Sequence, residues 1–119
     1  MTFTIEHNEP AGATANAPAV VLLSGNVLGG AEAVEFSRAI AGLLREGVTR
    51  VIADLSDVPL MNSSGLGMLV AASSSMRSAG GVLAVSGANE KIQGLFKMTR
   101  IDSVLAHYRT RDEAMAAYQ

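Results

Sequence analysis

Three short apolar runs constrain the fold of this chain more than any other feature. They span residues 19–23, 50–55 and 82–86. None of them shows the alternation of apolar and polar residues that is typical of a strand with one face exposed to solvent. Continuous runs of this length, rich in Val and Leu, are typical of strands that are buried on both faces of a parallel sheet. Because the segments between them have helical spacing, the chain predicts strand–helix–strand units joined by right-handed crossovers.

The segments that follow these runs carry the marks of helices. Phe36 and Ile40 recur at helical spacing, and Gly47 stands where a helix commonly ends in a left-handed residue. Asn89 is predicted to cap a third helix, and Thr110 begins a capping box at the start of a fourth. The second helix is predicted to bury one face, formed by Leu66, Leu69, Ser73 and Met76.

The two ends of the chain complete the predicted topology. Phe3 and Ile5 alternate with polar residues, which indicates a half-buried first strand, antiparallel to the second. Residues 8–18 are predicted to form a loop, and residues 104–109 a short fifth strand. The order β-β-α-β-α-β-α-β-α predicts an α/β fold in one domain, residues 1–119. It has a single mixed sheet of about five strands packed with about four helices.

Composition excludes several classes of function. A formal charge of −2 gives no broad field for direct binding of nucleic acid or anionic lipid. The chain has no cysteine, and His7 and His107 lack partners at metal-ligand spacing, so no metal or other cofactor is predicted. No apolar run approaches the roughly 18 residues of a membrane span, and a signal-peptide pattern is absent. We therefore expect a cytoplasmic protein without membrane insertion.

A serine pair at the start of the second helix is the candidate for chemistry. Ser63 and Ser64 follow Asn62 and precede Gly65 and Gly67. A serine hydroxyl at this place is either a plain helix cap or an acceptor of phosphate, because the free amides of a helix N-terminus favour negative charge. The two glycines are expected to leave room for an approaching partner or kinase. The residues alone leave both readings of Ser63 open.

Catalysis by this chain is the weaker reading of the same stretch. The serine turn lacks the G-x-S-x-G pattern of hydrolases, and only His107 is a candidate base for Ser63. Asp54 and Asp57 could be imagined as a metal pair, but their place at the end of a strand is better explained by turn formation. The chain is therefore expected not to be an enzyme.

The stretch Asp54-Leu-Ser-x-Val-x-x-Met-Asn-Ser-Ser-Gly-Leu-Gly-x-Leu69 resembles the signature of STAS domains, in particular bacterial anti-sigma factor antagonists. The resemblance implies a partner switch. The unmodified protein would bind an anti-sigma factor that is also a serine kinase of the GHKL type, and binding would free the sigma factor. Phosphorylation of the serine that aligns with Ser63 would release the antagonist, and a PP2C-type phosphatase would restore it.

The residues around Ser63 are then expected to contact the partner. These are Met61, Asn62, Ser64, Gly65, Leu66, Gly67 and Met68. Met61, Leu66 and Met68 are predicted to form an adaptable docking surface, with Met61 and Met68 partly exposed. The alternative is that Met68 and Val70 are simply buried against the sheet.

Three features depart from the family pattern. Asn62 stands where an aspartate commonly precedes the acceptor serine, and Arg100 stands where glycine is common; residues 25–30 also lack a frequent aspartate. The family leaves a second function open, a non-switching STAS subunit of a lipid-transport ABC complex or a stressosome scaffold.

Overall fold

Strands and helices alternate along the chain in the predicted order. The structure, a computed structural model, describes residues 1–7 and 18–118, with the backbone only at His7. The elements are β1 (Thr2–His7), β2 (Ala19–Ser24), α1 (Ala31–Arg45), β3 (Arg50–Asp57), α2 (Ser63–Ser78), β4 (Val82–Ser86), α3 (Glu90–Met98), a 3₁₀ turn (Ile101–Ser103), β5 (His107–Tyr108) and α4 (Arg111–Ala117). The loop predicted for residues 8–18 lies, apart from Pro18, outside this description.

The strands form one mixed sheet in the order β1-β2-β3-β4-β5. β1 is antiparallel to β2, as predicted, and the later neighbours are parallel. The fold class inferred from the sequence is confirmed. Because every right-handed crossover moves to the next strand in the same direction, α1, α2 and α3 lie on one face of the sheet.

The sheet is buried on both faces, which explains the continuous apolar runs. On one face, Val21 and Val51 belong to the main core with Phe36 of α1 and Leu69 of α2. On the other face, a smaller cluster joins Val20 and Ile52 to Ala114 of α4. No helix in the part of the chain that the structure describes is both long and apolar enough to cross a membrane.

The predicted helix ends are confirmed at three positions. Gly47 follows α1 in a left-handed conformation, with φ of +86°. The Asn89 side chain accepts a hydrogen bond from the Ile92 amide at 2.9 Å, and the Thr110 hydroxyl accepts one from the Glu113 amide at 3.1 Å. These bonds satisfy amides that the first turn of a helix leaves without partners.

The prediction of a strand over residues 104–109 was too long. The strand is reduced to His107–Tyr108, and the 3₁₀ turn takes up the chain before it. The reason is that the Val104 and Leu105 amides both donate to the Ile101 carbonyl, at 2.9 and 2.8 Å, so the chain is still turning at Leu105. Arg100 begins this turn in a left-handed conformation with φ of 60°, and its carbonyl accepts from the Ser103 hydroxyl at 2.8 Å.

Candidate functional site

The candidate site is built on the turn that connects β3 to α2, residues 58–62, here called the β3–α2 turn. Near its end β3 shifts register against β2, and there the Asp54 carboxylate forms an aspartate turn by accepting bonds from the Ser56 amide at 3.0 Å and the Ser56 hydroxyl at 2.6 Å. The prediction that Asp54 serves turn formation is confirmed. Within residues 1–7 and 18–118, no group of three or more metal-ligating side chains comes together.

Asn62, and not Ser63, caps α2. Asn62 has an extended backbone, and its Oδ1 accepts a bond from the Gly65 amide at 2.8 Å. Ser63 is the first residue inside the helix, so the reading of Ser63 as a plain cap is wrong. The physical reason is geometric. The side chain of a capping residue accepts a hydrogen bond from an amide two or three residues later, and the capping residue itself must lie outside the helix.

Ser63 is therefore left with a free side chain. Ser63 and Ser64 are both exposed, and in the described part of the chain the Ser63 hydroxyl has no hydrogen-bond partner. The first turn of α2 contains no acidic residue. The positive end of the helix dipole thus faces solvent beside an unengaged hydroxyl, an environment that favours an added phosphate group.

A second segment holds the β3–α2 turn in place. This segment, residues 25–30, is here called the β2–α1 loop. The Val27 amide donates to the Leu60 carbonyl at 2.9 Å, and the Val27 carbonyl accepts from the Asn62 amide at 3.3 Å. The Gly25 amide donates to the Asp57 carbonyl at 3.1 Å. The backbone on both sides of Leu60 is therefore fixed by main-chain bonds.

The two glycines of the serine turn have different roles. Gly65 is buried, and a Cβ atom placed on it would lie 2.0 Å from the Val27 carbonyl oxygen. Gly65 is thus required by a contact inside the protein, and the expectation that it leaves room for a partner is wrong. Gly67 is exposed, and a Cβ atom there would meet nothing within 4 Å. Only Gly67 is open to an approaching molecule.

The prediction that Met61 and Met68 are partly exposed is also wrong. Each is only 6% exposed, and Leu66 is 4% exposed. Met61 pairs with Val27 across an isolated bridge, and all three side chains join the main core. The alternative, burial, is what the structure shows for Met68, while Val70 is partly buried against the same core.

Other apolar side chains are exposed on the segments that adjoin the serine turn and on α3. Leu28 lies in the β2–α1 loop and is 45% exposed, and Leu60 lies in the β3–α2 turn and is 47% exposed. Met98, at the end of α3, is 82% exposed. Sequence periodicity could not have found Leu28 and Leu60, because neither lies in a helix or a strand.

A groove of about 350 Å³ separates the β3–α2 turn from α3. Its walls are formed by residues of both elements, namely Leu60, Met61, Glu90, Lys91, Ile92, Gly94, Leu95 and Met98. The exposed Leu60 side chain therefore shares this groove with α3.

Asn89 joins these two walls, a role that sequence reasoning missed. Besides capping α3, its Nδ2 donates to the Val58 carbonyl at 3.3 Å and to the Pro59 carbonyl at 3.1 Å. These two bonds are here called the Asn89 bridge. The capping pattern predicted the first role only, because the second depends on a segment about thirty residues earlier in the chain.

His107 does not act on Ser63. Its Nε2 accepts a bond from the Ala88 amide at 3.3 Å, and its ring packs edge-on against Phe96 at 6.1 Å. Burial lowers the pKa of His107 from the usual 6.5, so the neutral ring that accepts this bond is favoured. The proposed base of a serine nucleophile is engaged elsewhere.

Comparison with known proteins agrees with this architecture. The model of the family described as STAS domain matches residues 12–114. A protein from Thermotoga maritima described as "Putative anti-sigma factor antagonist" is 35% identical over 72 residues, which are 60% of this chain and 64% of that protein. The chain thus matches slightly less than two thirds of that relative's length.

Solved structures give the same result over more of the chain. A crystal structure from Thermotoga maritima with the same description superposes with a TM-score of 0.72 at 30% identity, covering 83% of this chain and 86% of that one. The phosphorylated form of the Bacillus cell fate determinant SpoIIAA superposes with a TM-score of 0.73 at 17% identity, covering 99% and 100%. This chain belongs to the STAS domain family.

Proposed function

We propose that this protein is an anti-sigma factor antagonist that works as a partner switch controlled by phosphorylation of Ser63. The observation that carries the proposal is the exposed, unbonded Ser63 hydroxyl at the N-terminus of α2, on a turn held by backbone bonds. The relatives support it, because the Thermotoga protein is described as "Putative anti-sigma factor antagonist" and SpoIIAA, which has the same fold, has a phosphorylated form.

In the unmodified state, the protein binds an anti-sigma factor through the surface around Ser63. Leu28 and Leu60 are exposed on the two segments that are bonded together before Ser63, and they supply apolar area that a partner would bury. Asn62, Ser64 and Gly67 complete this surface, since all three are exposed. Gly65, Leu66, Met61 and Met68 support it from beneath.

Phosphorylation would reverse this binding. A phosphate on Ser63 brings about −1.5 to −2 charges, which the free amides at the start of α2 stabilise in the unbound protein. In the complex, the same charge must be desolvated within an apolar contact, so binding is weakened. The family resemblance implies that a GHKL-type kinase adds the phosphate and a PP2C-type phosphatase removes it. We place this cycle in the cytoplasm, where ATP is available, and assign no catalytic role to the chain itself.

Asn62 is compatible with this switch. An asparagine and an aspartate both offer Oδ1 to the Gly65 amide, so the cap is preserved. The neutral side chain also adds no repulsion to a phosphate on the next residue.

Phosphorylation with the cognate kinase and ATP, followed by mass spectrometry, tests the proposal. We expect one phosphate on Ser63, none on Ser63→Ala, and full labelling of the neighbouring control Ser64→Ala. In pull-downs, Ser63→Asp should no longer capture the kinase, while Ser64→Asp should capture more kinase than Ser63→Asp does. Labelling that persists in Ser63→Ala would contradict the assignment. If Ser63→Asp binds the partner as well as the wild type does, the result would instead favour a non-switching STAS subunit.

A further inference from the structure

The inference concerns Asn89, and it rests on the proposed function of Ser63. Asn89 uses both ends of its amide group at once. Its Oδ1 accepts from the Ile92 amide and so caps α3, while its Nδ2 forms the Asn89 bridge to the carbonyls of Val58 and Pro59. One side chain therefore joins the start of α3 to the start of the β3–α2 turn.

The connection that carries Asn89 is itself held firmly. The Ala88 amide donates to His107 Nε2 at 3.3 Å, and the Ala88 carbonyl accepts from the Gln93 side chain at 2.8 Å. The residue before Asn89 is thus bonded to β5 on one side and to α3 on the other. These bonds hold the backbone before Asn89 in place, so its side chain can position the β3–α2 turn.

The β3–α2 turn is held at two places by different kinds of bond. Its second half is bonded to Val27 through main-chain atoms, which a side-chain substitution leaves unchanged. Its first half contains Pro59, which has no amide proton and so makes no donor bond of its own. The carbonyls of Val58 and Pro59 instead accept from Asn89. The Val58 amide donates to the Leu55 carbonyl at 3.0 Å, which ties Val58 to the preceding strand and not to α3. A single substitution at Asn89 therefore removes the side-chain bonds that join the first half of the turn to α3.

We infer that Asn89 is a positioning residue for phosphorylation of Ser63. It acts through Val58 and Pro59, and it keeps the turn in the geometry that presents the Ser63 hydroxyl and the exposed Leu60 side chain to the kinase. It does not touch the acceptor itself. Because Leu60 and α3 also form the two walls of the groove, the same bridge sets the width of that groove.

Two substitutions separate the bridge from the cap. Asn89→Asp retains an oxygen that accepts from the Ile92 amide, but its carboxylate cannot donate to carbonyl groups. Asn89→Ser also caps a helix, without added charge and with a shorter side chain. Thr110→Ala is the matched control, because it removes the cap of α4, on the opposite face of the sheet, and leaves the turn untouched.

Two measurements on the full chain test the inference. Hydrogen–deuterium exchange of the Val58 amide, in the first half of the turn, should accelerate about fivefold in both Asn89 variants and not in Thr110→Ala, because the exposed Asn89 bridge is expected to contribute about as much as one net hydrogen bond. With the cognate kinase and ATP, kcat/KM for Ser63 phosphorylation should fall about fivefold in both variants, with Thr110→Ala unchanged.

The outcomes are distinguishable from a failure of the proposed function. A wild-type protein that the kinase does not label overturns the proposed function, and the inference with it. If the wild type is labelled, unchanged exchange in both variants overturns the bridge as a support of the turn. Faster exchange with unchanged phosphorylation overturns the positioning role. A loss confined to Asn89→Asp also overturns it, because the added charge would then be the cause.

Discussion

At the scale of single residues, the serine turn divides its work between neighbours. Asn62 satisfies the helix N-terminus through its bond to the Gly65 amide, which leaves Ser63 free. The sequence predicted the position of this turn and its serine correctly, and it placed the cap one residue too late. Serine and asparagine are both good caps. The Val27 carbonyl, which accepts from the Asn62 amide, holds Asn62 outside the helix and so decides between them.

Gly65 and Gly67 offer a matched test of this packing. We expect Gly65→Ala to lower the free energy of unfolding by about 3 kcal/mol, because the new Cβ atom would lie 2.0 Å from the Val27 carbonyl oxygen. This oxygen belongs to the backbone and cannot move aside as the end of a flexible side chain could. Gly67→Ala, which meets nothing within 4 Å, should raise it by about 0.5–1 kcal/mol through the higher helix propensity of alanine. Urea unfolding of both variants measures the difference. Equal effects would contradict the close approach of Val27.

At the scale of elements, the connection between β4 and α3 is bonded to β5 through a side chain. It depends on the neutral form of His107, whose Nε2 accepts from the Ala88 amide. If Nε2 of His107 were protonated, it could no longer accept this bond, and its N–H would face the N–H of Ala88. The connection is therefore sensitive to pH through one side chain.

The pH dependence of stability has a defined sign. Burial lowers the pKa of folded His107 below 6.5, so the unfolded chain takes up a proton first as the pH falls. The stabilisation is fully present above pH 6.5 and is lost as the pH falls through 6.5 towards the folded-state pKa. We expect the wild type to lose more stability between pH 7.5 and 5.5 than His107→Gln, which does not titrate. Urea midpoints at the two pH values, at constant ionic strength, measure this. Parallel losses in both proteins would rule out His107 as the source.

At the scale of the whole molecule, the sheet depends on a short helix to cover its second face. α4 places Ala114, fully buried, against Val20 and Ile52. An Arg50 guanidinium also donates to the Tyr118 carbonyl just after this helix, which joins the end of α4 to β3. The face opposite the serine turn is thus closed by the last segment of the described chain.

Substitutions on α4 test this closure. Ala114→Asp would bury an unpaired carboxylate and should lower the free energy of unfolding by roughly 3–5 kcal/mol. Ala116→Asp, on the exposed side of the same helix, should change it by less than about 0.5 kcal/mol. Thermal unfolding followed by circular dichroism distinguishes them. If both substitutions had similar, small effects on the free energy of unfolding, α4 would not be needed to cover this face of the sheet.

The sequence by itself determined the order and type of the elements, the mixed sheet and the place of the serine turn. These follow from periodicity, capping residues and β-branched runs, which are properties of neighbouring residues in the chain. Only the tertiary structure decided that Met61 and Met68 are buried, that Gly65 packs against Val27, and that Asn89 bonds to the turn. Each of these depends on which distant segments come into contact, since Val27 and Gly65, like Val58 and Asn89, are brought together by the sheet and its crossovers. Burial and hydrogen bonding across such separations are set by packing, and no local pattern encodes them.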